Sequence, residues 1–134
     1  MSLAKTTSVL SLFVVLIALV SGCGRTDQDA NVARHRGELV EIYEIYQLHR
    51  KNHERPPASM SDLKQYEAIQ PTALQVLREG KYLVVWGLSD KGDETVLAYE
   101  KDAPTNGGWA VLADGTVKRM DAEAFQAVPK GRSS

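Results

Sequence analysis

Cysteine occurs once in the 134 residues, phenylalanine and tryptophan twice each, and histidine three times. A single thiol excludes an intrachain disulfide and any cysteine-rich metal site, so a folded domain rests on its apolar core. Charge of neither sign prevails, with 16 Lys and Arg against 17 Asp and Glu and a net charge of −1. That balance offers no basic surplus for a polyanion, which argues against nucleic acid as a partner. Nor is there an apolar run of the roughly 20 residues that a membrane span needs. The longest, Val9 to Val20, has twelve, broken in polarity only by Ser11. No serine stands in a Gly-x-Ser-x-Gly elbow, and Gly107-Gly108 precedes strand-like sequence, whereas a phosphate loop leads into a helix. These absences speak against an enzyme.

What is present is concentrated at the front. Lys5 supplies a positive start, Val9 to Val20 an apolar segment, and Val20-Ser21-Gly22-Cys23 closes it with the lone cysteine. This order of aliphatic, small, small, Cys resembles a bacterial lipoprotein signal. The resemblance implies a diacylglyceryl group on the Cys23 sulfur, cleavage between Gly22 and Cys23, and often acylation of the new amino group. Small residues at Ser21 and Gly22 let the backbone enter a protease cleft, and the thiol is the strong nucleophile nearby. An uncleaved anchor and an ordinary secretory signal cut elsewhere are the competing readings. The expected location is a membrane, by lipid anchor. Gly24 replaces the aspartate that usually retains such proteins at the inner membrane, which favours the periplasmic face of the outer membrane. Cleavage removes 22 of 134 residues and leaves 112, enough for one small core. Loss of Lys5 leaves 15 bases against 17 acids, a net charge of −2.

Gly24 to Asn31 is small and polar and reads as a tether, with Asp29 or Asn31 able to cap the next helix. From Val32 to about His53 the pattern becomes helical. Leu39, Ile42, Tyr43 and Tyr46 recur at three- and four-residue steps, widened by Val40, Ile45 and Leu48. Arg55-Pro56-Pro57 stops this helix. Ser59 or Ser61 caps a short helix carrying Leu63 and Tyr66, and Pro71 opens another that Gly80 ends. Strands are expected over 82–86, 95–99, 109–113 and 116–120. Asp114-Gly115 between the last two predicts a tight type I′ hairpin. Asp121 caps a final short helix through Phe125, and the tail from Pro129 is expected to be loose. A long helix followed by a four-stranded antiparallel sheet is an α+β domain, over 32–128.

The long helix, the "PPASMSDL" turn, the "GKYLVVWG" strand and the "GGWAVLADGTVKRM" hairpin resemble soluble domains of type II secretion pseudopilin G-like proteins, including planctomycete-type pilin-like domains. The resemblance spans roughly residues 36 to 125 and implies a pilin-like fold. Its motifs, Pro56-Pro57, Leu63, Trp86 and Asp114-Gly115, are structural rather than chemical. A histidine often comes after the Asp-Gly pair in these relatives, where this chain has Thr116. Prepilins keep an apolar segment with a glutamate at its fifth position. Here the apolar segment holds no acid and precedes a lipobox, which points away from a filament core.

Candidate chemistry is sparse. His49 and His53 have the four-residue spacing of a metal pair, but Arg50, Lys51 and Arg55 beside them oppose a cation, and His35 lies about 21 Å away along the helix. Asp90, Asp93 and Glu94, with Asp102 across a hairpin, have the oxygen ligands of a calcium site without the spacing of an EF-hand. Glu38, Glu41 and Glu44 read as a solvated helix face, and Trp86 and Trp109 as core or sheet-face residues. The expectation is a lipid-anchored cell-envelope protein with a non-catalytic binding or assembly role, no resident metal or cofactor, and an envelope or secretion-system protein as partner. The alternatives are a type II secretion or pilus accessory subunit and a calcium- or small-ligand-binding periplasmic domain.

Overall fold

A computed structural model describes residues 23–88 and 92–129. Residues 1–22, which hold the expected signal, residues 89–91, which hold the calcium candidate Asp90, and residues 130–134 lie outside them. By its internal contacts the chain divides into two units, Met1–Val32 and Ala33–Ser134.

The first helix, α1, spans Cys23–His53 and so starts nine residues ahead of the expected Val32. The expected tether over Gly24–Asn31 is therefore helical, and Asp29 and Asn31 lie inside the helix instead of capping it. The physical reason is that this stretch holds no proline. A helix already nucleated gains one hydrogen bond for each further residue it fixes.

Within the second unit, Leu39, Ile42, Ile45, Tyr46 and His49 on α1 are completely or almost completely buried, which places the apolar stripe as the periodicity predicts. Val40, expected to widen it, is 39 % exposed. Arg50, Lys51 and His53 occupy the last turn of α1, where cations oppose the negative end of the helix dipole. Glu54 comes next in a left-handed conformation at φ 54°, and Arg55-Pro56-Pro57 leads away.

Beyond these lie α2 (Met60–Leu63), a single 3-10 turn (Lys64–Tyr66) and α3 (Pro71–Arg78). Ser59 stands at the α2 N-cap, but its hydroxyl meets the Ser61 hydroxyl at 2.7 Å and caps nothing. Asp62 Oδ2 instead accepts the Ala58 N–H at 2.9 Å and an Arg55 N–H at 3.1 Å. Pro71 opens α3 as expected. At its end Gly80 donates to the Leu77 carbonyl and Lys81 to the Val76 carbonyl, with Gly80 at φ 71°, the pair of bonds of a Schellman cap.

The sheet is an antiparallel meander in the order β1-β2-β3-β4, from Tyr82–Val84, Val96–Glu100, Gly108–Leu112 and Val117–Met120. A register shift between Val96 and Ala98 opposite β3 turns the neighbours Leu97 and Ala98 toward the same core. The Asp114-Gly115 hairpin forms, but not as a type I′ turn. Gly115 donates to the Leu112 carbonyl and alone has positive φ, at 87°, giving a three-residue loop, 113–115. Asp114 Oδ1 accepts the Thr116 N–H at 2.8 Å, closing an Asx turn across the loop.

Two cores flank the sheet. Tyr82, Leu97, Ala98 and Val111 pack with α1, Leu63, Tyr66 and Leu74 on one face. On the other, Val96, Ala110, Leu112 and Met120 pack with Ala103 of α4 (Ala103–Asn106) and Phe125 of α5 (Ala122–Ala127). The protein is thus α+β, a long helix packed on a four-stranded antiparallel sheet, with two short helices on the sheet's second face. Asp121 caps α5 as expected, its Oδ1 accepting the Ala124 N–H at 2.7 Å.

Candidate functional site

Polar chemistry gathers where α1 crosses the start of β1 and the end of β2. Glu38, next to Leu39 in the apolar stripe, is buried. Its Oε2 accepts the Tyr82 hydroxyl at 2.6 Å and pairs with the Lys81 ammonium. Tyr82 has one hydroxyl proton, and Glu38 takes it. The 2.8 Å contact between His35 Nδ1 and the Tyr82 oxygen therefore needs the imidazole proton on Nδ1. The same nitrogen lies 3.2 Å from Glu100 Oε1, while Glu100 Oε2 accepts the Trp109 N–H at 2.7 Å. Trp109 stacks on the His35 ring at 6.0 Å and 12°. Gly108 makes room for this arrangement, since a Cβ there would lie 2.6 Å from Glu100 Oε2.

The electrostatics derive from that geometry. Burial raises the Glu38 carboxyl, but the hydrogen bonds from Lys81 and Tyr82 outweigh it and hold the group below its ordinary range. Burial, then the bond to Glu38, pushes the Tyr82 phenol far up, so it stays protonated and works as a donor. Burial lowers His35 despite the attraction of Glu100, keeping the ring neutral. Glu38 finds its counter-charge in Lys81, and Glu100 its donors in His35 and the Trp109 amide, an arrangement that ties helix to sheet. Residue spacing does not announce it, because its members are scattered between positions 35 and 109.

Beside Glu100 opens a cavity of about 470 Å³, lined also by Gly80, Lys81, Lys101, Asp102, Gly107 and Arg119. Gly107, at φ 72°, sits so close to β4 that a Cβ would fall 2.8 Å from the Met120 carbonyl.

The sequence candidates fare differently. His49 and His53 are adjacent, with ring centroids 4.3 Å apart, but the rings stack at 26°. Stacked rings point their nitrogen lone pairs side by side rather than toward one ion. His49 is buried, with neither ring nitrogen in a hydrogen bond, its ring edge-on to Tyr66 at 6.2 Å. Asp93 and Asp102 are exposed and stand before and after β2, at opposite ends of one strand, so the expected hairpin does not bring them together. Among the described residues no group of three or more His, Cys, Asp or Glu could hold a metal ion.

Trp86 and Trp109 are partly buried against the first core, as expected of structural tryptophans. Cys23 is the first residue of α1, and Gly22 lies outside the described residues. No helix among the described residues is long and apolar enough to cross a membrane. Compared with known protein families, curated proteins and solved structures, the chain matches no family model, no curated protein and no solved structure.

Proposed function

We propose that this chain is a lipid-anchored cell-envelope protein whose α+β domain binds or assembles with another component rather than catalysing a reaction. The observation that carries the reading is Cys23, the one thiol of the chain, directly after a short apolar run and two small residues. The α+β domain is consistent with a non-catalytic role. The ionisable groups at the helix–sheet crossing, Glu38, Lys81, Tyr82, His35 and Glu100, are engaged with one another. An anchor of two or more acyl chains, at about 0.8 kcal/mol per methylene, makes attachment effectively permanent. The outer-membrane periplasmic face and a pilin-like ancestry belong to the same proposal.

The test is the intact mass of membrane-extracted protein beside a Cys23→Ala variant. A chain beginning at Cys23 with a diacylglyceryl adduct, lost in the variant, supports the reading. An unmodified chain that keeps residues 1–22 overturns it.

A second reading, an accessory subunit of a secretion pseudopilus, is favoured by the long helix on a meander sheet together with the exposed Val40 on that helix. Tyr46 is fully buried and unavailable to a partner, so the contact would run along the Val40 side. Cross-linking from position 40 to a pseudopilin would support it, and no adduct in cells expressing the secretion system would sink it.

A further inference from the structure

The cavity beside Glu100 has an unusual balance of partners. Lys81 is committed to Glu38, and Glu100 to His35 and the Trp109 amide. Two cations on its wall, Lys101 after β2 and Arg119 on β4, make no ion pair or side-chain hydrogen bond among the described residues. One follows β2 and the other lies on β4, and both line the cavity only because the meander folds. Asn106 adds an amide donor, and a second hollow of about 320 Å³ continues past Arg119 along Asn106 and Gly107. Gly80 and Gly107, both at positive φ, line the walls without side chains, and a Cβ at Gly80 would meet nothing within 4 Å. Two such cations and an amide around an open hollow offer the donors that an oxyanion takes: an arginine fork, an ammonium and an N–H. Two carboxylates share the wall among the described residues, Glu100 and the uncommitted Asp102, and they set a limit on how strongly an anion is held.

We propose that this cavity binds a phosphate ester oxyanion, with Arg119 and Lys101 as its ligands. If Cys23 is lipidated, the phosphates at hand are those of anionic lipid headgroups. That source rests on the anchor proposed above; the binding chemistry does not.

The experiment uses full-length protein in a nonionic detergent, titrated with glycerol phosphate and with inorganic phosphate and read by amide NMR shifts. Saturable shifts at Lys101, Gly107 and Arg119 are expected. Arg119→Gln or Lys101→Gln should weaken the affinity about tenfold each. Asp102→Asn should tighten it, a sign that a merely structural role would not produce. Lys118→Gln, one residue away on β4 and facing the other side of the sheet, should leave it unchanged, with all variants checked for an unaltered melting temperature.

A second arm reads amine labelling of Lys101 in phosphatidylglycerol and phosphatidylcholine bilayers. Protection in phosphatidylglycerol alone assigns the phosphate to a headgroup, and saturation by glycerol phosphate without protection assigns it to a soluble ester. No saturation and no protection, or saturation indifferent to Arg119→Gln and Lys101→Gln, overturns the site. An intact mass without lipid overturns only the headgroup source, because the soluble titration does not depend on the anchor.

Discussion

The Tyr82 hydroxyl donates to Glu38 Oε2 at 2.6 Å, a bond between β1 and α1 across 44 residues of chain. It is buried, and Lys81 completes the pairing from the rim. Tyr82→Phe removes the donor and leaves the carboxylate with one partner fewer, at an expected cost of about 1–3 kcal/mol in urea unfolding. Because Glu38 is held below its ordinary 4.5 in the fold, its contribution is full above that value and disappears as pH falls through the folded one. Tyr82→Phe should shrink this acid-side loss, and an unchanged midpoint in urea would refute the coupling.

The histidines set a second, milder acid limit. Burial lowers both His49 and His35 below the ordinary 6.5, and for His49 the neighbouring His53 and Arg55 add to burial against the pull of Asp62. The unfolded chain then takes up protons first. Stability is full above about pH 6.5 and declines as pH falls from there toward the folded values. His49→Leu, which fits an apolar site, should flatten part of that decline, and His35 retains the rest. An equal pH slope in the variant and the parent between about pH 7 and 5 would show that His49 does not titrate with folding.

Two glycines rank by what surrounds them. Gly107→Ala places a Cβ 2.8 Å from the Met120 carbonyl at a positive φ, against backbone that cannot yield. Gly115→Ala faces a 3.1 Å contact with the Tyr43 ring, which can turn aside. Costs of about 2–4 kcal/mol and about 1–2 kcal/mol are expected, respectively. Tyr43→Ala combined with Gly115→Ala should recover the steric part of the smaller loss. Thermal melting of these variants and of Tyr43→Ala alone reads the order, and Gly115→Ala as the worse of the two glycine changes would contradict it.

The fold is largely legible because its signals are local. The stripe at Leu39, Ile42 and Tyr46, the stop at Pro56-Pro57, Pro71 and Gly80 around α3, and Asp121 before α5 each act within a few residues. The misreadings also have physical causes. The start of α1 is read too late because almost nothing from Gly24 to Asn31 is apolar, yet a helix already formed extends through a stretch without a breaker. Ala103-Pro104-Thr105-Asn106 has the composition of a loop, and only packing of Ala103 in the second core makes it a helical turn. Of the candidate site, Glu38 reads as one acid of a solvated face. Its partners Lys81 and Tyr82 lie a whole helix-to-strand excursion away, a pairing that periodicity does not encode.

The meander order has a consequence for synthesis. Each strand pairs with its neighbour in sequence, so the sheet zips through short hairpin closures that are entropically cheap. α1 leaves the ribosome before all of them, but its contacts reach forward to Leu88 and Val111. Leu39, Ile42 and Tyr46 therefore stay uncovered until the third strand has emerged. The window in which a chaperone has most to shield lies at the front of this chain, well before its last residue is made.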